Sequence, residues 1–196
     1  MTPYRGSCLP HCRWKGHRST RSGHRAGITL IELVVTLALA SLLLAIALPG
    51  FSGILRNLRA DTAVHLLHTH LTIARSTAVT RRVPITVCPS RGDGRCSTDS
   101  DWSHGWLMYR DRRRRNQPES DQDILRQTVS PTHSSLRLIS SESRPRIRFL
   151  ASGRSGGSNL TIRVCHQSEL FGEVIVNNVG RVRAVRHHPP KTCAGW

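Results

Sequence analysis

One apolar run near the N-terminus constrains this 196-residue chain more than any other feature. Residues 28–48 read ITLIELVVTLALASLLLAIAL and contain a single charged side chain, Glu32. A helix of this length spans about 32 Å, which matches a hydrocarbon core of about 30 Å. A secretory signal peptide is the alternative, but its apolar core is usually only about 7 to 15 residues long. The run predicts a transmembrane helix with a carboxylate inside it, where a charge costs about 2.5 to 3.5 kcal/mol.

Residues 27–32, GITLIE, resemble the processing signal of type IV pilins and pseudopilins. The resemblance implies that a prepilin peptidase removes residues 1–27 as a leader by cutting after Gly27, and that the new N-terminal residue, Ile28, is methylated. The commonest residue at that position is phenylalanine, and Ile28 keeps a bulky apolar side chain there. The resemblance also implies a partner for Glu32, namely the N-terminal amine of a neighbouring subunit in a filament.

The expected leader carries six cations and no acid. Such a flank favours a cytoplasmic N-terminus and a remainder on the other side of the membrane. We therefore expect a single-pass protein of a bacterial inner membrane with a periplasmic globular domain. The resemblance implies that the protein also reaches the pilus or cell surface. Cys8 and Cys12 lie close to His11 and His17, but they lack the second half-site of a usual zinc site.

The periodicity of apolar residues changes along the rest of the chain. After Pro49 they recur every three or four positions to about Thr80, which predicts an amphipathic helix whose stripe comprises Leu55, Leu58, Thr62, Leu66, Leu67, Leu71, Ala74 and Ala78. Beyond Val83 they alternate in short segments separated by turns, as is typical of strands. The sequence predicts an α+β fold, in which a long N-terminal helix, half membrane-spanning and half amphipathic, packs on a β-rich globular domain of two antiparallel sheets. The expected domains are residues 28–52, 53–82 and 83–196, and the expected strands are 85–88, 105–110, 124–129, 136–140, 146–150, 159–165, 173–179 and 181–185.

Four cysteines remain after the leader: Cys88, Cys96, Cys165 and Cys193. An even number in an exported protein favours disulfides, and four cysteines allow three pairings. Pairing of sequence neighbours, Cys88 with Cys96 and Cys165 with Cys193, is the simplest of the three. A metal site is the alternative, although the spacing lacks the C-x2-C pairs that are typical of zinc.

Residues 85–96, ITVCPSRGDGRC, and 101–111, DWSHGWLMYRD, resemble the pseudopilin domain of the FimT/GspH family. With the N-terminal signal, the resemblance extends over nearly all of residues 27–186. It implies a minor pseudopilin that assembles with other pilins rather than an enzyme. Residues 153–157 match G-x-S-x-G, but a nucleophile elbow needs a helix after it, and a strand-like segment follows here. We found no catalytic constellation, metal motif or cofactor motif.

The net charge of +17 falls to +11 without the leader, and residues 144–196 contribute +7 from nine cations and two acids. Such an excess indicates a polyanionic partner. Residues 180–183, GRVR, match the G-R-x-R motif with which FimT-type proteins of transformable bacteria bind DNA. The resemblance therefore implies that this protein binds extracellular DNA for natural transformation and assists pilus assembly. The alternative is a GspH-like structural subunit of type II secretion that does not bind DNA.

The residues themselves support a phosphate-binding strand. Residues two apart in a strand share a face, so we expect Arg181 and Arg183 to project together after a tight turn at Gly180. Arg186 and Lys191 would extend the cationic path. Such a path contacts the phosphates of double-stranded DNA without reading bases, and few aromatic residues accompany it as single-strand stacking would need. The alternative is a solvated basic edge strand.

Two further clusters have weaker interpretations. Residues 112–115 are four consecutive arginines, which can form a second phosphate site but lie close to several acids, so a solvated loop is favoured. His65, His68 and His70 lie close together on the expected helix without an acid at ligand spacing, so a metal site is not favoured.

Overall fold

The computed structural model of the chain describes residues 27–129 and 131–193. The leader expected at residues 1–27 lies outside this range except for Gly27, as do Cys8 and Cys12. The chain divides into two compact units, Met1–Ala45 and Ile46–Trp196.

The first element is a long helix, α1 (Leu30–Arg81). The Thr29 hydroxyl accepts a hydrogen bond from the backbone N–H of Glu32 at 3.3 Å, which is the usual arrangement of an N-cap. The segment Leu30–Ala47 is long and apolar enough to cross a membrane, and none of it is buried within the protein. An exposed, mostly apolar surface of this size is unfavourable in water, so this half of α1 requires lipid or other apolar helices around it.

The second half of α1 buries one stripe of small and branched apolar residues. The sequence predicts this stripe correctly from Leu67 onward but wrongly at Leu58, which is 57% exposed. The buried positions in that part of the helix are alanines, and Val64 packs against the backbone of Gly172. Short side chains on α1 and a glycine in the second sheet allow the helix and the sheet to approach closely. Side-chain size, rather than hydropathy, therefore determines which face of α1 is buried there. The buried residues of the stripe are Ala60, Ala63, Val64, Leu67, Leu71, Ala74 and Ala78.

Eight strands form two four-stranded antiparallel sheets, with the orders β3-β2-β1-β5 and β4-β6-β7-β8. All eight predicted strands are present, and the predicted α+β fold is confirmed. The strands are β1 (Ile85–Pro89), β2 (Gly105–Arg110), β3 (Ile124–Val129), β4 (Leu136–Ser140), β5 (Ile147–Phe149), β6 (Leu160–His166), β7 (Glu169–Val176) and β8 (Val182–Thr192).

The last two strands are longer than predicted. β7 begins at Glu169 rather than at residue 173, and β8 continues to Thr192 rather than ending at residue 185. Pro189 and Pro190 argue against a strand because they lack backbone donors, but β8 is an edge strand, where proline is tolerated. The pairing is irregular between Leu170 and Gly172, where the partner in β8 shifts from Lys191 to Arg186. This bulge accommodates the proline pair.

The core is formed by α1 and side chains from both sheets, among them Trp106, Phe149 and Val174. Two smaller clusters surround the disulfides Cys88–Cys96 and Cys165–Cys193. The simplest of the three pairings is therefore the one in the structure. The second disulfide attaches the end of β8 to β6.

His70 connects α1 to the first sheet through a hydrogen bond that depends on its protonation state. Its Nδ1 accepts a hydrogen bond from the Trp106 indole at 2.8 Å, and Arg126 lies 3.2 Å from its Nε2. Burial and then the Arg126 charge lower the pKa of His70 below its ordinary value of 6.5. As the pH falls, His70 therefore becomes protonated in the unfolded chain before it does in the folded protein. Its contribution to the free energy of unfolding is complete above about pH 6.5 and is lost as the pH falls towards the lowered pKa.

We therefore expect the free energy of unfolding to decrease between about pH 7 and pH 5, and His70→Asn to reduce this decrease. The asparagine side chain keeps an oxygen acceptor for Trp106 but does not titrate. Denaturant unfolding of both proteins at each pH measures the difference, in which the other histidines cancel. An equal pH dependence in the two proteins would show that His70 is not the titrating group.

Candidate nucleic-acid interface

A tight turn positions the arginines of the G-R-x-R motif. The N–H of Gly180 donates to the Asn177 carbonyl at 2.9 Å, and the N–H of Arg181 donates to Asn177 Oδ1 at 2.8 Å. Gly180 has a φ of +82°, and a Cβ there would lie 1.9 Å from the Gly153 carbonyl oxygen. Only glycine fits this position, so Gly180 is needed for the path of the chain into β8.

Arg183 lies on the face of β8 that points away from the core, and Arg181 immediately precedes the strand. Val182 between them packs on the core, and both arginines are exposed. Arg183 pairs with Ile175 in β7. Neither guanidinium has an ion-pair partner among residues 27–129 and 131–193. Both charges are therefore available to a ligand.

Arg154 joins this site from a distant part of the sequence. The loop that carries it packs against the Gly180 turn, where the N–H of Ser155 donates to the Asn178 carbonyl at 3.2 Å. A Cβ on Gly180 would lie 3.3 Å from Arg154 Cα, and the Arg154 side chain is exposed. No local sequence signal indicates this proximity, because it depends on the contact between two loops.

Arg186 and Lys191 are placed differently from the two motif arginines. Arg186 Nε lies 3.0 Å from Asp61 Oδ1 on α1, and His188 shares the same carboxylate at 3.7 Å. The charge of Arg186 is thus partly neutralised by an acid of the protein itself. Lys191 is exposed but lies eight residues beyond Arg183, opposite Leu170. The structure does not bring these two residues together with Arg181 and Arg183.

The outer face of the second sheet adds arginines that the motif does not include. In β6, Arg163 faces outward and pairs with Glu173 at 3.6 Å, and that carboxylate also contacts His187 at 3.5 Å. Arg137 in β4 is exposed on the same face, about 14 Å from β8 at the usual strand spacing. We call this surface, with Arg137, Arg163 and Arg183 and one acid, the basic sheet face.

The residues expected to undergo processing lie at the start of α1. Gly27 and Ile28 precede the helix and are exposed, and Glu32 lies in its first turn. These positions leave the expected cleavage point and the carboxylate exposed.

Members of the histidine cluster of α1 and of the run of four arginines make contacts within the protein itself. His70 is bonded to Trp106, and the part of the chain that the structure describes contains no group of three or more residues able to hold a metal. Arg113 and Arg115 pair with Glu119 at 3.4 and 3.9 Å, as expected for a solvated loop. Arg114 is exposed and takes no part in these pairs.

A long N-terminal helix with an exposed apolar half, followed by two antiparallel sheets, defines a type IV pilin-like subunit. Residues 63–180 match the family described as type II transport protein GspH, and this chain belongs to that family. Residues 23–48 match the prokaryotic N-terminal methylation motif. The predicted family is thereby confirmed. The match to the GspH family ends immediately before Arg181.

Solved structures agree with this fold. The type IV minor pilin FimU of Pseudomonas aeruginosa strain PAO1 superposes in two crystal forms with TM-scores of 0.55 and 0.51 at 18% identity. The match covers 67% of this chain and 91% and 96% of the two FimU chains. The minor pseudopilin EpsH of the Vibrio cholerae type 2 secretion system has a TM-score of 0.45 and 15% identity, over 65% of this chain and 97% of EpsH. No significant match was found among curated proteins.

The chain is therefore a pilin-like subunit of the GspH family, and the likeness to FimU shows that the two proteins share a fold. Family and fold are those of structural subunits that assemble with other pilins. The apolar helix and the methylation motif indicate a membrane-anchored pilin.

Proposed function

We propose that this minor pseudopilin belongs to a type IV pilus and binds the phosphates of extracellular double-stranded DNA through Arg181 and Arg183 during natural transformation. The observation that carries the proposal is the exposure of two neighbouring arginines that have no acidic partner in the described part of the chain. By contrast, the nearby Arg163 and Arg186 are each paired with an acid. A guanidinium binds phosphate through two parallel hydrogen bonds, so each arginine supplies one contact to the phosphate backbone of DNA.

The surroundings favour a long polyanion over a small ligand. Arg154 lies beside the Gly180 turn, and the basic sheet face continues across the second sheet towards Arg137. Residues 144–196 carry a net +7. A broad, shallow cationic surface positions a duplex through its phosphates and gives binding that depends on salt rather than on base sequence.

The proposal includes the processing and membrane insertion by which the protein reaches the pilus. Prepilin peptidase removes residues 1–27, and Ile28 becomes the methylated N-terminus. The segment 28–52 crosses the inner membrane once and enters the filament, where Glu32 pairs with the terminal amine of a neighbouring subunit. The segment 53–82 and the globular residues 83–196 then face the periplasm, as the basic leader favours.

The test is DNA binding by the full chain in detergent, with a short duplex, before and after Arg181→Gln and Arg183→Gln. Loss of two charge-assisted contacts is expected to weaken binding about 100-fold. The slope of log K against log salt should become shallower by about 2, because about one counterion is released per phosphate contact. A matched control, Arg95→Gln with Arg112→Gln, removes the same charge from exposed loops of the first sheet. Equal losses in the two double variants would show that net charge, not the β8 site, determines binding.

The second candidate is a structural subunit of type II secretion, which the match to the GspH family favours. A subunit of that kind needs contacts with other pseudopilins but no affinity for DNA. The wild-type protein distinguishes the two functions: measurable duplex affinity with a steep salt dependence supports the first, and its absence supports the second.

A further inference from the structure

A second concentration of arginines lies in a cavity of about 350 Å³ beside β1 and β5. Its walls come from the segment after β2, from the turn before β5 and from Gly156. We call it the arginine pocket, and its charged residues are Asp111, Arg114, Arg144, Arg146 and Arg148. Four cations and one acid give it a formal charge of +3.

One arginine of the pocket is held by the acid. Arg148 Nε lies 3.4 Å from Asp111 Oδ2, and Arg148 Nη2 donates to the Asp111 backbone carbonyl at 2.6 Å. Thr86 donates its hydroxyl proton to the same Oδ2 at 2.8 Å. The side chains are 12% and 5% exposed, so this pair forms the floor of the pocket and has a structural role.

The other three arginines have only neutral partners or none. Arg144 donates to the hydroxyls of Ser155 and Ser158 at 3.1 and 3.2 Å, and Arg146 donates to the Asn116 carbonyl at 2.9 Å. Arg114 has no partner among the described residues and is held with a φ of +55°. Neutral acceptors orient a guanidinium without cancelling its charge. Three uncompensated positive charges therefore face one cavity.

Burial makes this arrangement unfavourable without an anion. Desolvation lowers the pKa of Arg144, and it also lowers the pKa of Arg148 in spite of the opposing effect of Asp111. Arginine does not lose its proton in proteins, so a bound anion would offset this desolvation cost. A fork of guanidinium groups matches the oxygens of a phosphate.

We propose that the arginine pocket is a second anion site, which binds a phosphate group. Its volume is that of a small-ligand site and suits one phosphate with the group attached to it, whereas the flat surface around β8 suits the side of a duplex. The phosphate belongs either to free inorganic phosphate or to the terminal phosphate of a DNA strand. Arg114 and Arg146 contact it directly, while Arg144 and Arg148 complete the positive lining. This site does not depend on Arg181 or Arg183.

The test is calorimetric titration of the full chain in detergent with inorganic phosphate, at an ionic strength kept constant with chloride. We expect saturable binding that Arg114→Gln with Arg146→Gln weakens at least tenfold, because two charged contacts are lost. The control Arg112→Gln removes one charge from the same run outside the pocket and should change the affinity less than twofold. If the double variant does not fold, Arg114→Gln alone remains informative, because Arg114 is exposed and unpaired in the described structure. Binding no stronger than that of chloride, or unchanged in the pocket variants, would overturn the proposal.

Short duplexes with and without a 5′-phosphate identify the source. If the pocket binds the terminal phosphate of a DNA strand, the phosphorylated duplex binds more tightly than the unphosphorylated one. The pocket variants then lose this difference in affinity. If the pocket binds only inorganic phosphate, the two duplexes bind with equal affinity, while the pocket variants still lose binding of inorganic phosphate. Arg181→Gln with Arg183→Gln should leave phosphate binding intact, so failure of the DNA-binding proposal remains distinguishable from failure of this one.

Discussion

Gly180→Ala is expected to lower the free energy of unfolding by about 2 to 5 kcal/mol. A left-handed conformation costs an alanine about 1 to 2 kcal/mol, and overpacking usually costs about 1 to 3 kcal/mol more. Both apply at Gly180, where φ is +82° and the new Cβ would overlap the Gly153 carbonyl oxygen. Neither backbone can move freely, because the Gly153 carbonyl also accepts a hydrogen bond from Arg75 of α1 at 3.0 Å.

Denaturant unfolding measures this effect, and Gly156→Ala is the matched control. A Cβ on Gly156 would meet its neighbours at 3.6 Å or more, which is ordinary contact, so that variant should retain nearly wild-type stability. Wild-type stability in Gly180→Ala would mean that the two loops do not approach as described. Because the turn positions Arg181, the variant should also bind DNA more weakly even under conditions in which it remains folded.

Asp111→Ala is expected to destabilise the protein by about 3 kcal/mol. Removing one member of a buried ion pair leaves the other charge uncompensated, which costs about 3 to 5 kcal/mol. The lower value applies here because the pocket gives Arg148 some access to solvent. Thr86 also loses its hydrogen-bond acceptor, since its hydroxyl donates to the same carboxylate.

Asp99→Ala is the comparison for this prediction. Asp99 pairs with Arg91 at 3.3 Å on the surface, with side chains 42% and 65% exposed, and such pairs contribute about 0 to 1 kcal/mol. Unfolding free energies of both variants, measured in the same denaturant, should therefore differ by about 2 kcal/mol or more. Similar values would show that burial does not strengthen the Asp111–Arg148 pair.

Most of the fold follows from local sequence patterns. The eight strands were predictable because alternation of apolar residues and turn-forming residues both act over a few positions. The errors occur where tertiary contacts override the local pattern. β8 continues through Pro189 and Pro190 because no strand of the described residues pairs with its outer edge. Leu58 is exposed because alanines form the close contact of α1 in that region.

The candidate sites were less accessible to sequence reasoning. The two-residue period of a strand predicts that Arg181 and Arg183 share a face, and both side chains are exposed. The sequence does not indicate that Arg186 forms an ion pair with Asp61 of α1, because that contact depends on how the helix packs against the sheet. Arg154 could not be predicted, since it lies 26 positions from Gly180 and reaches it through a contact between two loops. Arg114 belongs to the run of arginines named as a candidate phosphate site, but its place beside residues 143–148 in the arginine pocket depends on the complete fold.

The attachment of β8 at both ends has a consequence for the entropy of binding. Edge strands commonly fray, and side chains on a fraying strand must be ordered when a ligand binds. Here the Gly180 turn fixes one end of β8, and the Cys165–Cys193 disulfide fixes the strand immediately after its last residue. Arg183 is therefore held in a strand that cannot peel away from β7 at its C-terminal end, and Arg181 is held by the turn before it. A polyanion that binds them meets a surface already in its bound conformation, and less of the binding free energy is spent on ordering the protein.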